Sequence, residues 1–118
     1  MKSRSRIAIT GTTSGIGLAL VDSLSVSNDI THLNRPEFDL LDDNTLEKID
    51  LSGYDILVNN AGADYKRTDF DQHQYKNWKD TVKINFIVPM YLTQRFISQN
   101  SNGTVINITS TGNQLLPT

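Results

Sequence analysis

The chain of 118 residues contains no cysteine, carries a formal net charge of only −2 and has no long apolar run. The missing cysteines exclude disulfides and thiolate metal sites and fit a cytoplasmic protein. Without a basic run, the charge balance gives no support for nucleic-acid binding. No apolar stretch approaches the length of a bilayer span or of a signal-peptide core. We therefore expect one soluble, cytoplasmic domain over residues 1–118 that binds neither nucleic acid nor membrane.

Apolar strand-like runs alternate with helical patterns along the chain, which predicts an α/β fold with a parallel sheet. The predicted strands lie near Arg6–Thr10, Ile30–Leu33, Asp55–Asn59 and Thr104–Thr109. The predicted helices lie near Ile16–Ser25, Asn44–Ile49 and Tyr75–Gln99. The segment Glu37–Leu40 follows the second strand too closely to be a further parallel strand, so we expect a short extended piece there.

Apolar side chains at helical spacing predict that the long helix buries one face, with Trp78 in the core. The predicted buried stripe comprises Tyr75, Trp78, Val82, Phe86, Pro89, Leu92 or Thr93, and Phe96. Pro89 lies inside this helix and deprives the carbonyl of Asn85 of its usual partner. Two interpretations stay open: the proline bends the helix around the core, or the freed carbonyl holds an ordered water. Geometry alone favours the bend.

The segment Thr10–Gly17 places three glycines between the first strand and the first helix. A helix N-terminus offers free backbone N–H groups and partial positive charge, which suit a phosphate. Gly11 would allow the tight turn, Gly15 the approach of a pyrophosphate, and Gly17 close packing of the helix on the sheet. An ordinary turn is the alternative for the isolated motif. No Gly-Lys-Ser/Thr follows, which disfavours a P-loop NTPase.

Two later strands also end in small and polar residues. Asn59–Gly62 follows the third strand, and Thr109–Gly112 follows the fourth. Because ligands bind at the carboxyl ends of parallel strands, we expect these residues at one edge of the sheet. A simple turn is the alternative for each segment.

Taken together, the motifs resemble the short-chain dehydrogenase/reductase family. The matching segments are Thr10–Gly17, Asn59–Gly62, Asn85 and Ile108–Ser110, in the order of the family. The resemblance implies a Rossmann-type three-layer sandwich, incomplete here at the C-terminal edge of its sheet. It also implies an oxidoreductase that acts on a small carbonyl or alcohol substrate and forms a homo-oligomer when the chain is complete.

The resemblance assigns roles to individual residues. The expected cofactor-binding residues are Gly11, Ser14, Gly15, Ile16, Gly17, Arg35, Asp39, Leu40, Asn60, Ala61 and Gly62. Of these, Ser14 and the backbone N–H of Ile16 would be donors to the pyrophosphate. The expected catalytic residues are Ser110, which polarises the substrate oxygen, and Asn85, which holds a water of the proton relay. Arg35 stands where a carboxylate would bind the ribose of NAD, so NADP is favoured over NAD.

No Tyr-x-x-x-Lys pair follows Ser110 in the sequence, which is where the family carries it. We therefore expect an enzyme's cofactor-binding N-terminal part that is catalytically inactive alone and leaves its last strand as an exposed apolar edge. The alternative is a truncated, non-catalytic nucleotide-binding protein that pairs with another subunit through that edge and the long helix. His32 and His73 are single, which favours surface or packing roles over metal binding or catalysis.

Overall fold

A computed structural model describes residues 4–13, 15–62, 72 and 74–108. Its strands are β1 (Arg6–Thr10), β2 (Asp29–Leu33), β3 (Ile56–Asn59) and β4 (Thr104–Asn107). Its helices are α1 (Gly15–Leu24), α2 (Asp43–Lys48), α3 (Tyr75–Val82) and α4 (Val88–Gln99), with a π-helical turn over Lys83–Ile87. The predicted alternation of strands and helices is confirmed.

The four strands form one parallel sheet in the order β2-β1-β3-β4. In the register of this sheet Ile7 lies between Ile30 and Ile56, and Val58 pairs with Ile106. The chain leaves β1 towards β2 on one side and returns to β3 on the other side of β1. The β1–β3 junction is therefore a topological switch point, where α/β sheets open a crevice at the carboxyl ends of their strands.

Helices cover both faces of the sheet, which confirms the predicted three-layer sandwich. On the first face, α2 and α4 enclose the larger core, which comprises Ala8, Leu33, Leu40, Leu46, Ile49, Leu51, Leu57, Ile84, Val88, Leu92 and Phe96. On the second face, Ile7, Ile9 and Val58 pack under partly buried side chains of α1 such as Leu20, Val21 and Leu24. The alternation of side chains along each strand sends neighbouring residues to opposite faces.

The predicted stripe of the long helix is wrong in its first half. Tyr75, Trp78, Val82 and Phe86 are 75%, 41%, 51% and 57% exposed, so Trp78 is not a core residue. No residue of α3 is buried. The buried side chains are Ile84, Val88, Leu92 and Phe96, spaced four residues apart. Only Leu92 and Phe96 of the stripe are buried, because the sheet contacts the helix from the π turn onward and leaves the apolar side of α3 outside.

The helix accommodates Pro89 by changing its hydrogen-bonding pattern. The N–H of Val88 donates to the carbonyl of Lys83, five residues back, which widens the turn before the proline. Pro89 follows this wider turn at the start of α4, and the helical run continues through it. The expected position of the proline within the long helix is confirmed, because residues 75–99 are helical without a break, whereas an ordered water at Asn85 stays a prediction.

The connection after β2 is a turn, not the extended piece expected over Glu37–Leu40. It contains a cis peptide bond between Arg35 and Pro36. The N–H of Phe38 donates to the carbonyl of Asn34 at 3.0 Å and closes the turn. The segment carries no strand, as predicted, and leads directly to α2. Within the described residues, no helix combines the length and the apolar character that a membrane span requires.

Candidate functional site

The carboxyl ends of β1 and β3 are tied together by buried polar groups. The Thr10 hydroxyl is buried and accepts hydrogen bonds from the N–H groups of Asn60 at 2.9 Å and Ala61 at 2.7 Å. In return, the side-chain amide of Asn60 donates to the carbonyl of Gly11 at 2.9 Å. The two motifs that the sequence places 50 residues apart therefore lie side by side at the switch point, where sheets of this kind open a ligand crevice.

The glycines of the first motif differ in what surrounds them. A Cβ on Gly17 would lie 1.8 Å from the carbonyl oxygen of Gly11, so α1 packs against the end of β1 at a distance that only glycine permits. Gly15 has a φ of +58°, and a Cβ there would meet nothing within 4 Å. The first turn of α1 is thus pressed against the crevice on one side and open on the other.

The open side of this turn has the electrostatics of an anion site. The first N–H groups of a helix have no intrahelical acceptor, and the helix dipole adds partial positive charge there. The first turn of α1 contains no acidic residue, whereas that of α2 contains Asp43. A phosphate-sized anion therefore fits the N-terminus of α1 without repulsion from a neighbouring carboxylate in the turn.

The structure places Asn85 at the same edge as the second motif. A Cβ on Gly62 would lie 2.8 Å from Oδ1 of Asn85, so the amide rests against the glycine that follows β3. The Nδ2 atom of Asn85 donates to the carbonyl of Thr81 at 2.9 Å. Asn85 occupies the middle of the π turn and is exposed. Turns of this kind are frequent at functional sites.

Arg35, Asp39 and Leu40 follow β2 and differ in accessibility. Nη2 of Arg35 lies 3.6 Å from Oδ1 of Asp39, and their side chains are 71% and 45% exposed. Asp39 also accepts a hydrogen bond from the N–H of Leu41 at 3.1 Å. Leu40 is buried in the larger core. Because its side chain faces the core, only the main chain of Leu40 is available to a ligand at this edge.

Sequence reasoning missed a hydrogen-bonded cluster behind the glycine loop. The N–H of Thr12 donates to Oδ1 of Asn34 at 3.0 Å, and the Thr12 hydroxyl lies 2.5 Å from the same oxygen. Nδ1 of His32 lies 2.8 Å from that hydroxyl. His32 thus has a hydrogen-bond partner, although it is exposed. The available signal was an amide directly after β2, a position from which a side chain can reach the neighbouring loop.

Asn59 adds a buried polar group at the end of β3. Its Nδ2 donates to the hydroxyl of Thr93 at 3.1 Å and to Oδ1 of Asn107 at 2.9 Å. Its own Oδ1 is buried without a hydrogen-bond partner in the described part of the chain. These contacts join β3, β4 and α4, so Asn59 holds the second wall of the crevice in place.

The remaining predictions fall outside this arrangement. Ser14, Ser110 and His73 lie outside the described residues.

An open groove of about 520 Å³ lies apart from the crevice and contains none of the predicted site residues. It is lined by Asp43, Tyr75, Trp78, Lys79, Val82, Lys83 and Ile87. In the described ranges, no group of three or more His, Cys, Asp or Glu side chains could hold a metal ion.

Comparison with known proteins agrees with the fold. The profile of the family described as short chain dehydrogenase matches residues 43–116, more than half of the chain. The chain belongs to the short-chain dehydrogenase family. The chain spans about half the length of the curated relatives it matches.

Three individual proteins illustrate the likeness. The chain is 29% identical over 113 residues to 2-dehydro-3-deoxy-D-gluconate 5-dehydrogenase of Dickeya dadantii, covering 80% of this chain and 43% of that protein. A short-chain dehydrogenase structure from Streptomyces avermitilis superimposes with a TM-score of 0.82 at 22% identity, covering 98% and 52% of the two chains. A putative NAD(P)-dependent gluconate 5-dehydrogenase from Beutenbergia cavernae, solved with bound NADP, gives 0.78 at 20% identity, covering 90% and 54%.

Proposed function

We propose that this chain forms the cofactor-binding part of an NADP(H)-dependent oxidoreductase that acts on a small carbonyl or alcohol substrate. The observation that carries the proposal is the crevice at the switch point. There the open N-terminus of α1 and the segment Asn60–Gly62 face each other across hydrogen-bonded strand ends. The match to the short-chain dehydrogenase family supports catalysis and does not favour the alternative of a non-catalytic interaction protein.

The diphosphate of the dinucleotide would lie against the first turn of α1. Gly15 leaves the space that a phosphate needs, and the N–H of Ile16 and the side chain of Ser14 would be donors. Gly11 and Gly17 would form the floor of the turn. Asn60, Ala61 and Gly62 would line the opposite wall, and Asp39 and Leu40 the adenine end. When bound, the nicotinamide supplies the hydride acceptor or donor.

The preference for NADP rests on Arg35. Its guanidinium is 71% exposed and could form a bidentate ion pair with a 2′-phosphate. Its contact with Asp39 is an exposed ion pair of the kind that contributes little, so Arg35 can exchange partners. The residue before it is Asn34, so no carboxylate stands directly after β2 to bind the ribose hydroxyls of NAD. The bound NADP of the Beutenbergia cavernae protein agrees with a nicotinamide dinucleotide in this fold.

Two residues are proposed to act on the substrate side. Ser110 would donate a hydrogen bond to the substrate oxygen and polarise the carbonyl. Asn85, at the edge of the crevice beside Gly62, would hold a water that takes part in proton transfer. Since no Tyr-x-x-x-Lys pair follows Ser110, we expect the 118-residue chain alone to bind the nucleotide weakly, if at all, and not to turn over a substrate.

Oligomerisation is the last part of the proposal. The exposed side chains of Tyr75, Trp78 and Val82 follow helical spacing along α3 and border the open groove. An apolar helix face of this kind suits a second copy of the protein. A homo-oligomer in the cytoplasm is the expected state of the whole protein.

The test is a fluorescence titration of the whole protein, of which this chain is the proposed cofactor-binding part, with NADPH and NADH. We expect saturable binding, tighter for NADPH, which Gly15→Asp abolishes because a carboxylate would occupy the phosphate position. Aspartate tolerates positive φ better than most residues, and circular dichroism verifies the fold. Ser23→Asp is the matched control, since it adds the same charge to an exposed position of α1. Absence of saturable binding, or equal binding by Gly15→Asp, would contradict the proposal.

A further inference from the structure

Besides Asn60, which bonds to Gly11, the side chain of Asn34 holds the glycine loop, and neither sequence motif includes Asn34. Thr12 is 4% exposed, and both its N–H and its hydroxyl lie within hydrogen-bond distance of Oδ1 of Asn34. A buried N–H without an acceptor destabilises the conformation that contains it. The position of the loop after β1 therefore depends on where the Asn34 amide points.

The orientation of the Asn34 amide is determined by the hydrogen bond of its nitrogen, Nδ2. Nδ2 of Asn34 donates to the carbonyl of Arg35 at 2.9 Å, which directs Oδ1 towards Thr12. Because the Thr12 hydroxyl gives its proton to Asn34, the contact from His32 at 2.8 Å requires Nδ1 of the ring to be the donor. The bonds then run in one direction, from His32 to Thr12 to Asn34 to Arg35.

We propose that Asn34 is a positioning residue for the cofactor, acting through Thr12 on the loop that receives the diphosphate. The inference rests on the proposed function of the crevice. Asn34 and Arg35 are neighbours in the chain but would act on different parts of the nucleotide. Asn34 acts on the diphosphate, which NADP, NAD and ADP share, and Arg35 acts on the 2′-phosphate, which only NADP carries.

Three ligands and two alanine variants separate these roles. Titration with NADPH, NADH and ADP should show that Asn34→Ala weakens all three by a similar factor of about tenfold, since two hydrogen bonds to the loop are lost. Arg35→Ala should weaken NADPH alone. Thr12→Ser keeps the hydroxyl and should bind like the unmodified protein, whereas Thr12→Val should weaken all three ligands.

The thermal midpoint of each variant is measured beside its affinity. A purely structural role would lower the midpoint of Asn34→Ala and leave the affinity of the folded protein unchanged. That result, or a loss confined to NADPH, overturns the inference while the proposed function stands. If the unmodified protein binds none of the three nucleotides, the proposed function itself fails.

Discussion

The helices cover the two faces of the sheet to different extents. On the first face, α2 and α4 cover a continuous core that extends from Leu33 at the end of β2 to Phe96 of α4. On the second face, the fully buried side chains are Ile7, Ile9 and Val58, all beneath α1. Ile106 pairs with Val58 in register and points to the same face, yet it is 42% exposed. Within the described residues, the cover of the second face is incomplete at β4, although Ile108 after that strand still packs against the cluster.

Because of this difference, the first face contributes mainly to stability and the second face contributes to ligand binding. The first face holds most of the buried apolar side chains, which are the main source of folding free energy. The second face carries α1, whose close contact at Gly17 and open turn at Gly15 shape the crevice. Substitutions on the first face should therefore have the largest effect on stability, whereas those around α1 should also change the geometry of the crevice. The exposed apolar edge at β4 stays a predicted aggregation or docking site.

The largest effect is expected in the core of the first face. Leu92→Ala removes a fully buried side chain and should lower the free energy of unfolding by about 2–5 kcal/mol. Ile97→Ala on the same helix is the control, because Ile97 is 65% exposed and should change stability by less than about 0.5 kcal/mol. Urea unfolding followed by circular dichroism measures both. Equal losses would show that α4 is not buried as described.

The next effect concerns α1 on the second face. In Gly17→Ala the new methyl group would overlap the carbonyl of Gly11, so we expect a loss of about 1–3 kcal/mol or more. Gly15→Ala meets no atom but must adopt a φ of +58°, which should cost about 1–2 kcal/mol. Thermal unfolding ranks the two variants. A smaller loss for Gly17→Ala than for Gly15→Ala would contradict the close packing of α1.

The hydrogen bonds by which Thr10 joins β1 to β3 should contribute slightly less to the free energy of unfolding. Thr10→Val keeps the shape of the side chain but leaves the N–H groups of Asn60 and Ala61 without their acceptor. A loss of about 1–3 kcal/mol is expected. Thr10→Ser retains the oxygen and should lose less than half as much. Hydrogen exchange of the two amides is the measurement, and unchanged protection in Thr10→Val would rule out these hydrogen bonds.

A matched pair tests where the cover of the second face ends. Val58→Thr places a hydroxyl in a buried position and should lower stability by about 1–3 kcal/mol. Ile106→Thr, at the paired position on β4, should change stability by less than about 0.5 kcal/mol and reduce aggregation. Denaturant unfolding and light scattering provide the two readouts. A loss in Ile106→Thr as large as in Val58→Thr would mean that this face is covered.

The smallest effect is a change of pKa at the start of α2. The Thr45 hydroxyl donates to Asp42 at 2.9 Å and, with nearby backbone N–H groups, holds the pKa of that carboxyl below its usual value. The corresponding stability is present above the unfolded pKa of about 3.9 and is lost as the pH falls through the lower folded value. Thr45→Ala should raise the pKa of Asp42, measured by NMR titration. Thr45→Ser should leave it low.

Sequence reasoning located the elements and failed on one helix face. The spacing of Tyr75, Trp78 and Val82 is amphipathic, and an amphipathic helix ordinarily turns its apolar side inward. Here the half-buried positions of α3 include Asn77, Asp80 and Thr81, and the apolar side faces outward. Periodicity identifies an apolar face but not the surface that covers it. The π turn was also not predictable from the sequence, because a proline indicates a local change in helical hydrogen bonding but not which form the change takes.

The local amino-acid sequence alone was enough to determine the α/β alternation, the glycine turn after β1 and the small polar segment after β3. Each of these depends on residues close together in the chain, so the pattern carries the information. The tertiary structure decided that the first and second motifs share one crevice, that Asn85 rests against Gly62, and that Asn34 holds Thr12. These contacts join residues more than twenty positions apart, and their geometry is determined by how the strands are ordered in the sheet.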